Sequence, residues 1–265
     1  MADFTHPTAV HADAIALLRS GVGNAAVARK LGISTNTVGV WKHRDRMRAG
    51  DLPARPAPPC PRCTPSDASV AAEPYSYLLG LYLGDGYIRA GKAMRAKGVF
   101  TLVIACADAW PGLMDECEAA MAKVMPQNKI NRVPRPGMHE VLSYSKHWPC
   151  LFPQTGPGME HQRAIHLETW QQEIVEAFPR EFVRGLLHSD GCRVANWTAK
   201  IVKGNLKRYE YPRYHFTNES SHIRDLFVGA LDRFGVEWRF TRENCISVAK
   251  RASVAALDEF VGPKY

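Results

Sequence analysis

Two nine-residue segments of this 265-residue chain read alike, and they constrain its fold more than any other feature. The first is LLGLYLGDG at 78–86, and the second is VRGLLHSDG at 183–191. Each has glycine at its third position, leucine at its fourth and Asp-Gly at its end. Their separation is too long for a solenoid repeat and is typical of a duplicated half-domain.

The apolar residues of both segments recur at helical spacing, which predicts two helices that pack against each other. Gly80 and Gly185 would lie where the two backbones approach most closely, as small residues do at tight helix contacts. Gly84 and Ser189 would keep the lower end of the helix pair narrow. The two segments therefore predict one shared helix–helix interface rather than two separate helices.

An aspartate ends each predicted helix, and the packing would hold the two carboxylates near a shared axis. These are Asp85 and Asp190, with Gly84 and Ser189 directly before them. Carboxylates and carbonyls are the ligands that Mg²⁺ prefers in proteins. We therefore expect these four residues to form a metal site.

The pattern that follows each aspartate is also repeated. Two strands, a helix and two further strands are predicted after Asp85 and again after Asp190. Each series ends at a lysine, Lys146 or Lys250, after nearly equal intervals, and these lysines are interpreted as structural strand-end residues. The prediction is an α+β fold of two αββαββ halves, about 75–165 and 166–265.

On these motifs the chain resembles the LAGLIDADG homing endonucleases over essentially all of residues 75–265. The resemblance implies a saddle of sheets with two-fold pseudosymmetry lying on duplex DNA, in a monomer. It implies that Asp85 and Asp190 bind catalytic Mg²⁺, with Mn²⁺ as a substitute. The implied reaction hydrolyses phosphodiester bonds in both strands of a long, nearly asymmetric site and leaves short 3′ overhangs.

The family also uses basic residues near the scissile phosphate, and here the match is loose. The resemblance places Arg163, in TGPGMEHQRAI, and Lys264, in the C-terminal VGPKY, as candidate catalytic residues. Arginine transfers protons less readily than lysine because its pKa is far higher. The presence of Arg163 leaves the rate of cleavage open.

Each predicted half carries a basic stretch between its first two strands. Two-stranded ribbons fit the major groove of DNA, so these stretches are the expected reading surfaces, and solvated charged hairpins are the alternative. Tyr209, Tyr211 and Tyr214 interleave the second stretch. The candidate DNA-binding residues are Arg89, Lys92, Arg95 and Lys97 in the first half, and Arg193, Lys200, Lys203, Lys207, Arg208 and Arg213 in the second.

Residues 1–50 hold seven basic and three acidic residues, and three helices are predicted there. Asn24 is the expected N-cap of the second helix, and Ser34 or Thr35 begins the third. Ala28, Gly32 and the apolar residues after them resemble the helix-turn-helix of bacterial regulators and resolvase-like modules. A plain three-helix bundle with a basic end is the alternative. The candidate DNA contacts are Thr35, Asn36 and Thr37 for bases, and Lys42, His43, Arg44, Arg46 and Arg48 for phosphates.

The segment 51–74 contains seven prolines among 24 residues, which predicts a semi-rigid, extended linker. It includes Cys60-Pro-Arg-Cys63, which has the spacing of half a zinc knuckle. A structural zinc needs four ligands, no second CxxC follows, and His6 and His11 lack ligand-like spacing. We therefore do not expect zinc at Cys60 and Cys63. A redox pair or an inert linker pair are the other interpretations.

Composition limits the function classes further. The formal net charge is +8 and the pI is near 9.2, which favours a polyanionic partner. No run of about 18 apolar residues predicts a membrane helix, and no secretory signal is expected. The seven scattered cysteines favour a reducing setting. We expect a cytoplasmic, nucleoid-associated protein, bacterial or encoded by a phage, with no membrane contact.

The leading hypothesis is a sequence-specific, double-stranded DNA endonuclease with an N-terminal helix-turn-helix domain. The alternative is a non-cleaving transcriptional regulator with a LAGLIDADG-like domain. His188 and the lack of a lysine near residue 163 favour the regulator, while the presence of both aspartates favours the enzyme. An intein lacks support because no His-Asn ending is present, and a role as an RNA maturase stays open.

Overall fold

The chain divides by its internal contacts into two units, Met1–Ala57 and Pro58–Tyr265. The computed structural model describes residues 6–51, 60–63, 69–156 and 158–265. The unit boundary falls inside the predicted linker 51–74, of which residues 52–59 and 64–68 lie outside the described residues. Of the described helices, none combines the length and the apolar character needed to cross a bilayer.

The N-terminal unit is a three-helix unit around a small apolar core. Its helices are α1 (Thr8–Arg19), α2 (Asn24–Leu31) and α3 (Thr35–Ala49). Its buried core residues are Ala14, Val27, Ala28, Val38 and Trp41. The predicted inward face of α3, with Val38 and Trp41 three residues apart, is confirmed.

The turns of this unit explain where its helices begin and end. Gly32 ends α2 in the left-handed region, at a φ of 65° that favours glycine. Ser34 caps α3, because its Oγ accepts the Thr37 N–H at 3.0 Å. Asn24, the predicted N-cap of α2, is instead its first residue. Gly23 occupies the cap position without a side-chain hydrogen bond.

The second unit contains two four-stranded antiparallel sheets with equivalent strand orders. The first sheet has the order β1-β2-β4-β3 and the second β5-β6-β8-β7. The strands are β1 (Gly86–Arg89), β2 (Phe100–Ala107), β3 (Ile130–Arg135), β4 (Met138–Ser145), β5 (Gly191–Val202), β6 (Asn205–Thr217), β7 (Arg239–Arg242) and β8 (Cys245–Val248). The predicted α+β class and the order of elements in each half are confirmed.

Eight α-helices accompany the described sheets, together with a short 3-10 helix at Glu160–Gln162. The helices are α4 (Ala72–Asp85), α5 (Lys92–Arg95), α6 (Pro111–Val124), α7 (Trp148–Leu151), α8 (Thr169–Ala177), α9 (Pro179–Ser189), α10 (Ser221–Arg233) and α11 (Arg251–Asp258). The sequence pattern does not predict α5, α7, α8 or α11. Of these, α5 and α7 have four residues each, too few to display a helical period.

The two predicted ribbons differ from each other in the structure. In the first half, β1 and β2 pair as a short antiparallel ribbon, and α5 occupies the basic stretch that joins them. In the second half, β5 and β6 continue into one hairpin paired from Gly191–Phe216 to Val202–Asn205. These strands are longer than predicted, because exposed polar residues lack the alternation that marks a half-buried strand.

The closest contact between the halves is the packing of α4 on α9. A Cβ added to Gly80 would lie 2.5 Å from the Phe182 carbonyl oxygen and 2.9 Å from the Gly185 Cα. A Cβ added to Gly185 would lie 2.3 Å from the Tyr77 carbonyl oxygen. These obstacles are backbone atoms, so they cannot move aside, and only glycine fits at either position.

Replacing either interface glycine by alanine should destabilise the protein. The added methyl group must separate two helix backbones, so we expect Gly80→Ala and Gly185→Ala to lower the free energy of unfolding by about 2 kcal/mol or more. Urea denaturation of each purified variant measures this change.

The matched control is Gly229→Ala, which lies on the exposed side of α10, where an added Cβ meets nothing within 4 Å. This change should stabilise the helix by about 0.5–1 kcal/mol. Equal effects of Gly80→Ala and Gly229→Ala would contradict the assigned backbone contact.

Candidate functional site

Two carboxylates lie at the apposed C-terminal ends of α4 and α9. Asp85 is the last residue of α4, and Asp190 is the C-cap of α9. A Cβ on Gly84 would lie 2.1 Å from Ser189 Oγ and 3.2 Å from Asp190 Oδ2, so the second carboxylate lies against the residue before Asp85. The glycine contact of the helices thus brings the two predicted acids together.

The surroundings of these acids disfavour their charge. Burial, and then the nearby Asp190, raise the pKa of Asp85 to about 6. Burial likewise raises the pKa of Asp190. Both groups lie at the negative end of a helix dipole, which disfavours a further negative charge. A bound cation would relieve all of these costs at once, and perturbed carboxylates of this kind are concentrated at functional sites.

Lys264 reaches this pair of aspartates, as the resemblance implied. Its Nζ donates to the Ser189 carbonyl at 3.0 Å. It also lines, with Asp85, a small cavity of about 140 Å³. Burial lowers the pKa of Lys264, while Asp85 and Asp190 oppose that shift. The ammonium group is therefore partly desolvated and adjacent to both carboxylates.

His188 holds the segment that carries Lys264. Burial lowers the pKa of His188 to about 4, so its ring is neutral at pH 7. Its Nε2 donates to the Val261 carbonyl at 2.8 Å, because a carbonyl only accepts. The other ring nitrogen, Nδ1, lies 3.0 Å from the Tyr77 hydroxyl, which also bonds to the Glu116 carboxylate at 3.0 Å. His188, whose presence in the motif favours a regulator on sequence grounds, therefore holds the C-terminal segment in place.

Arg163 does not join the aspartates. Its Nη1 donates to the Gln154 carbonyl at 2.7 Å, and its guanidinium lies against Gly156. No contact recorded between described residues links it to Asp85 or Asp190. The structure therefore brings only one of the two predicted basic catalytic residues to the site.

Asn218 is a site residue that sequence reasoning missed. Its Nδ2 donates to Asp190 Oδ2 at 2.6 Å. The strand register relates this position to the first half, because Gly191 pairs with Phe216 as Gly86 pairs with Ile104. Cys106 lies two residues after Ile104 in the first half, and Asn218 lies two residues after Phe216 in the second, so the two positions are equivalent. The register comparison, rather than any charge pattern, is the signal that identifies Asn218.

The β5–β6 hairpin presents an exposed basic ribbon. Its turn is Lys203-Gly204, with φ angles of 51° and 78°, the two positive values that a type I′ turn requires. Lys200 and Lys207 lie directly opposite each other, and like charges in that position are destabilising. Trp197 is 56% exposed, and the Arg208 guanidinium lies 4.8 Å from its ring centroid. A polyanion bound here would relieve the repulsion between the two lysines and cover the exposed Trp197.

Several other candidate DNA-binding arginines are paired within the protein. Arg193 forms a bidentate ion pair with Asp258 at 2.7 and 2.8 Å. Arg89 bonds to the buried Glu140 at 2.9 Å. Arg213 lies over the ring of Tyr211, and Arg208 also contacts Glu210 at 2.8 Å. The remaining candidates of the first half, all exposed, are Lys92, Arg95 and Lys97.

In the N-terminal unit the candidate residues lie along α3. Thr35 and Asn36 are exposed at its start, whereas the Thr37 hydroxyl lies 2.8 Å from Ser34 Oγ in the cap. The Thr37 hydroxyl is therefore engaged in capping α3. Farther along, Arg44 and Arg46 are exposed and Lys42 is half-buried.

Solved structures of homing endonucleases are similar to this chain. The crystal structure of I-DmoI in complex with DNA and Mn is 16% identical, with a TM-score of 0.47, and the match covers 73% of this chain and 99% of that chain. Mesophilic variants of the homing endonuclease I-DmoI are 17% identical, with a TM-score of 0.46, over 72% of this chain and 96% of theirs.

The LAGLIDADG meganuclease I-AabMI bound to uncleaved DNA is 13% identical, with a TM-score of 0.44, over 70% of this chain and 82% of that chain. No family model matches the sequence, and no curated protein matches it.

Replacing Asp85 by asparagine should stabilise the protein at about pH 8 without divalent cations, by about 1–3 kcal/mol. The reason is that folding raises the pKa of Asp85 from 3.8 to about 6. Its charge therefore destabilises the wild type increasingly as the pH rises from 3.8 through 6, and has no effect below 3.8. Urea unfolding at about pH 3.5 and pH 8 measures the difference.

Asp225→Asn, at an exposed position of α10, is the control and should change the free energy of unfolding by less than about 0.5 kcal/mol. A destabilised Asp85→Asn variant at pH 8 would show that the carboxylate is not strained by burial.

Proposed function

We propose that this protein is a metal-dependent endonuclease that cleaves both strands of a specific duplex DNA site. The observation that carries the proposal is the pair of desolvated carboxylates, Asp85 and Asp190, at the apposed C-termini of two helices. Structural ion pairs bring opposite charges together, whereas this packing holds two half-buried like charges together. Such an arrangement suits cation binding.

The residues at this site fit Mg²⁺ or Mn²⁺. Asp85 and Asp190 would hold the metal with their carboxylates, aided by the backbone at Gly84 and Ser189, and these hard oxygen ligands match the preference of both ions. When bound, such metals activate water and stabilise the leaving oxygen in phosphodiester hydrolysis.

The protein's own groups would complete the site in two ways. Lys264, beside both aspartates, would place a positive charge near the negative phosphate. Because burial lowers its pKa, it can also move a proton to or from a water molecule more readily than an exposed lysine. Asn218 would fix the orientation of the Asp190 carboxylate through its amide group.

The β5–β6 hairpin would provide the main reading surface. From Ala195 to the turn, the hairpin extends about 25 Å, and a two-stranded ribbon of this kind enters the major groove. Lys200, Lys203 and Lys207 would contact phosphates, with Trp197 among them. In the first half, α5 and the turn after it would make a smaller basic contact.

The N-terminal unit would add a second DNA contact as a helix-turn-helix module. Support comes from the exposed Thr35 and Asn36 at the start of α3 and from Arg44 and Arg46 farther along. The two units together would act as a monomer, since the second unit already contains both aspartates. The proposed setting is the nucleoid of a bacterium or a bacterium infected by the encoding phage.

A non-cleaving DNA-binding regulator is the second candidate function. The difference between the halves favours it: Asn218 bonds to Asp190, whereas the matching position holds Cys106. Arg163 also lies away from both aspartates. A site in which only one of the two aspartates has an amide partner could bind DNA without cutting both strands.

Asp85→Asn and Asp190→Asn should each lower cleavage by at least about 10²-fold while duplex binding changes less than about threefold. The carboxylates hold the metal, but neither is needed to contact the DNA backbone. The assay first selects a cleaved site from a randomised plasmid library with Mg²⁺ or Mn²⁺. Cleavage rates and affinities are then measured on that site, with Asp225→Asn as the unaffected control.

Full cutting by both aspartate variants would disprove the endonuclease assignment. Tight binding of the wild type with no cutting in either metal would favour the regulator.

Neutralising the ribbon should weaken DNA binding in a salt-dependent way. We expect Lys200→Gln and Lys207→Gln each to reduce the slope of log affinity against log salt by about 0.9, the contribution of one phosphate contact. Lys123→Gln, at an exposed position of α6, removes the same charge elsewhere and should leave the slope unchanged. Fluorescence anisotropy with labelled duplex at several salt concentrations measures the slopes, and equal slopes in all three variants would exclude the ribbon as the contact surface.

A further inference from the structure

A second group of metal-binding side chains lies away from the two aspartates. It contains Cys60, Cys63, His147 and Cys150, whose ligand atoms all lie within 4.8 Å of one another. We propose that these four residues bind one structural zinc ion in a Cys₃His site. This proposal is independent of the proposed nuclease function, because it uses none of the residues assigned to DNA cleavage.

The distances agree with tetrahedral zinc coordination. Four ligands about 2.3 Å from a central zinc lie about 3.8 Å from one another. The Cys63 and Cys150 sulfurs are 3.8 Å apart, and Cys63 Sγ lies 3.1 Å from His147 Nδ1. A disulfide would need the two sulfurs to be about 2.05 Å apart. The geometry therefore corresponds to ligands around an ion rather than to a covalent pair.

The local backbone on both sides has the form of a metal-binding turn. Cys60 and Cys63 bracket a tight turn in which the Arg62 N–H points at Cys60 Sγ, 3.5 Å away. Such a hydrogen bond stabilises a thiolate ligand. On the other side, His147 is the N-cap of α7, and the Cys150 N–H donates to its carbonyl at 3.0 Å. The site therefore combines a CxxC turn with an HxxC turn.

The HxxC turn is held rigidly by its neighbours, without help from a metal. Trp148 is fully buried, and its Nε1 donates to the Ser143 carbonyl at 2.9 Å. The His147 N–H donates to Ser145 Oγ at 3.1 Å. These contacts hold two of the four ligands in place independently of the metal.

The chemistry of the ligands selects the metal. Three thiolates and an imidazole are soft or intermediate ligands, and this set in tetrahedral geometry is typical of structural zinc. Mg²⁺ prefers oxygen, so the site would not compete with Asp85 and Asp190 for that ion. The expectation that zinc is absent rested on the missing second CxxC pair. The structure places His147 and Cys150, distant in sequence, where that pair would be.

The ion would fasten the segment before α4 to the end of the first sheet. Cys63 and Cys150 lie 87 residues apart in the sequence, so the site closes a long loop, where a crosslink removes much chain entropy from the unfolded state. The Arg62 guanidinium lies 4.5 Å from the Trp170 ring and adds a contact beside the CxxC turn.

Elemental analysis tests this proposal. The full chain, purified without chelators or metal-affinity steps, should contain about one zinc per chain. Cys63→Ser and Cys150→Ser should lower the zinc content to background. The matched control Cys192→Ser, at an exposed cysteine outside the site, should keep it.

His147→Cys should retain zinc with four thiolates, whereas His147→Ala should lose it. Asp85→Asn should also keep the full zinc content, which separates this site from the nuclease proposal.

Cobalt substitution of the wild type provides a measurement that does not depend on the folding of any variant. After zinc removal, Co²⁺ should produce thiolate-to-cobalt charge-transfer absorption and the d–d bands of a tetrahedral ion, and added zinc should abolish both. Zinc removal should also lower the Tm by about 5–10 °C, reversibly.

Zinc below about 0.2 per chain with no cobalt–thiolate absorption would overturn the proposal. Bound iron with acid-labile sulfide would overturn it as well. A zinc content that falls equally in Cys192→Ser would show that the metal is bound elsewhere.

Discussion

The contact of α4 with α9 through Gly80 and Gly185 sets the positions of nearly everything else in the second unit. The helix backbones touch there, at a distance that excludes even a methyl group on either side. Each helix is followed directly by the first strand of its sheet, so the contact also fixes where the two sheets begin. Glycine inside a helix destabilises the fold because it loses more conformational entropy than other residues. Here the two glycines also fix the separation of the two polar helix ends.

That fixed separation creates an electrostatic cost, which is the main indication of function. Two half-buried carboxylates lie together at the negative ends of two helix dipoles. Burial, and then the nearby Asp190, raise the pKa of Asp85 to about 6. His188, held neutral by burial, bonds to the Val261 carbonyl in the C-terminal segment, and Lys264 of the same segment lies beside both acids. The positive charge offsets part of the cost, and the proposed metal would offset the rest.

The halves share a strand order but differ where they would meet a ligand. The second sheet extends a hairpin with opposed lysines and an exposed tryptophan, whereas the first has a four-residue helix in the same place. The Asp190 carboxylate has an amide partner in Asn218, while Cys106 takes that register position beside Asp85. The duplicated fold therefore presents two unequal surfaces.

The duplicated fold was predictable because its signals are local. Glycine, leucine and aspartate recur within nine residues, and apolar spacing along each half predicted the order of strands and helices. Short helices such as α5 and α7 were missed because four residues cannot display a helical period. The length of the β5–β6 hairpin was missed because its outer part buries nothing and so lacks alternation.

Sequence alone therefore determined the two motif helices, their glycine contact and the identity of the paired aspartates, since each depends on spacing within one segment. Only the tertiary structure decided which distant residues join them. Asn218 lies at the acidic pair, Lys264 and not Arg163 is the basic residue there, and His147 and Cys150 lie beside Cys60 and Cys63. These groupings depend on strand register and on how α7 packs against the sheet. Such long-range contacts leave no periodic trace in the chain, because each partner is chosen by position in space and not by its neighbours in sequence.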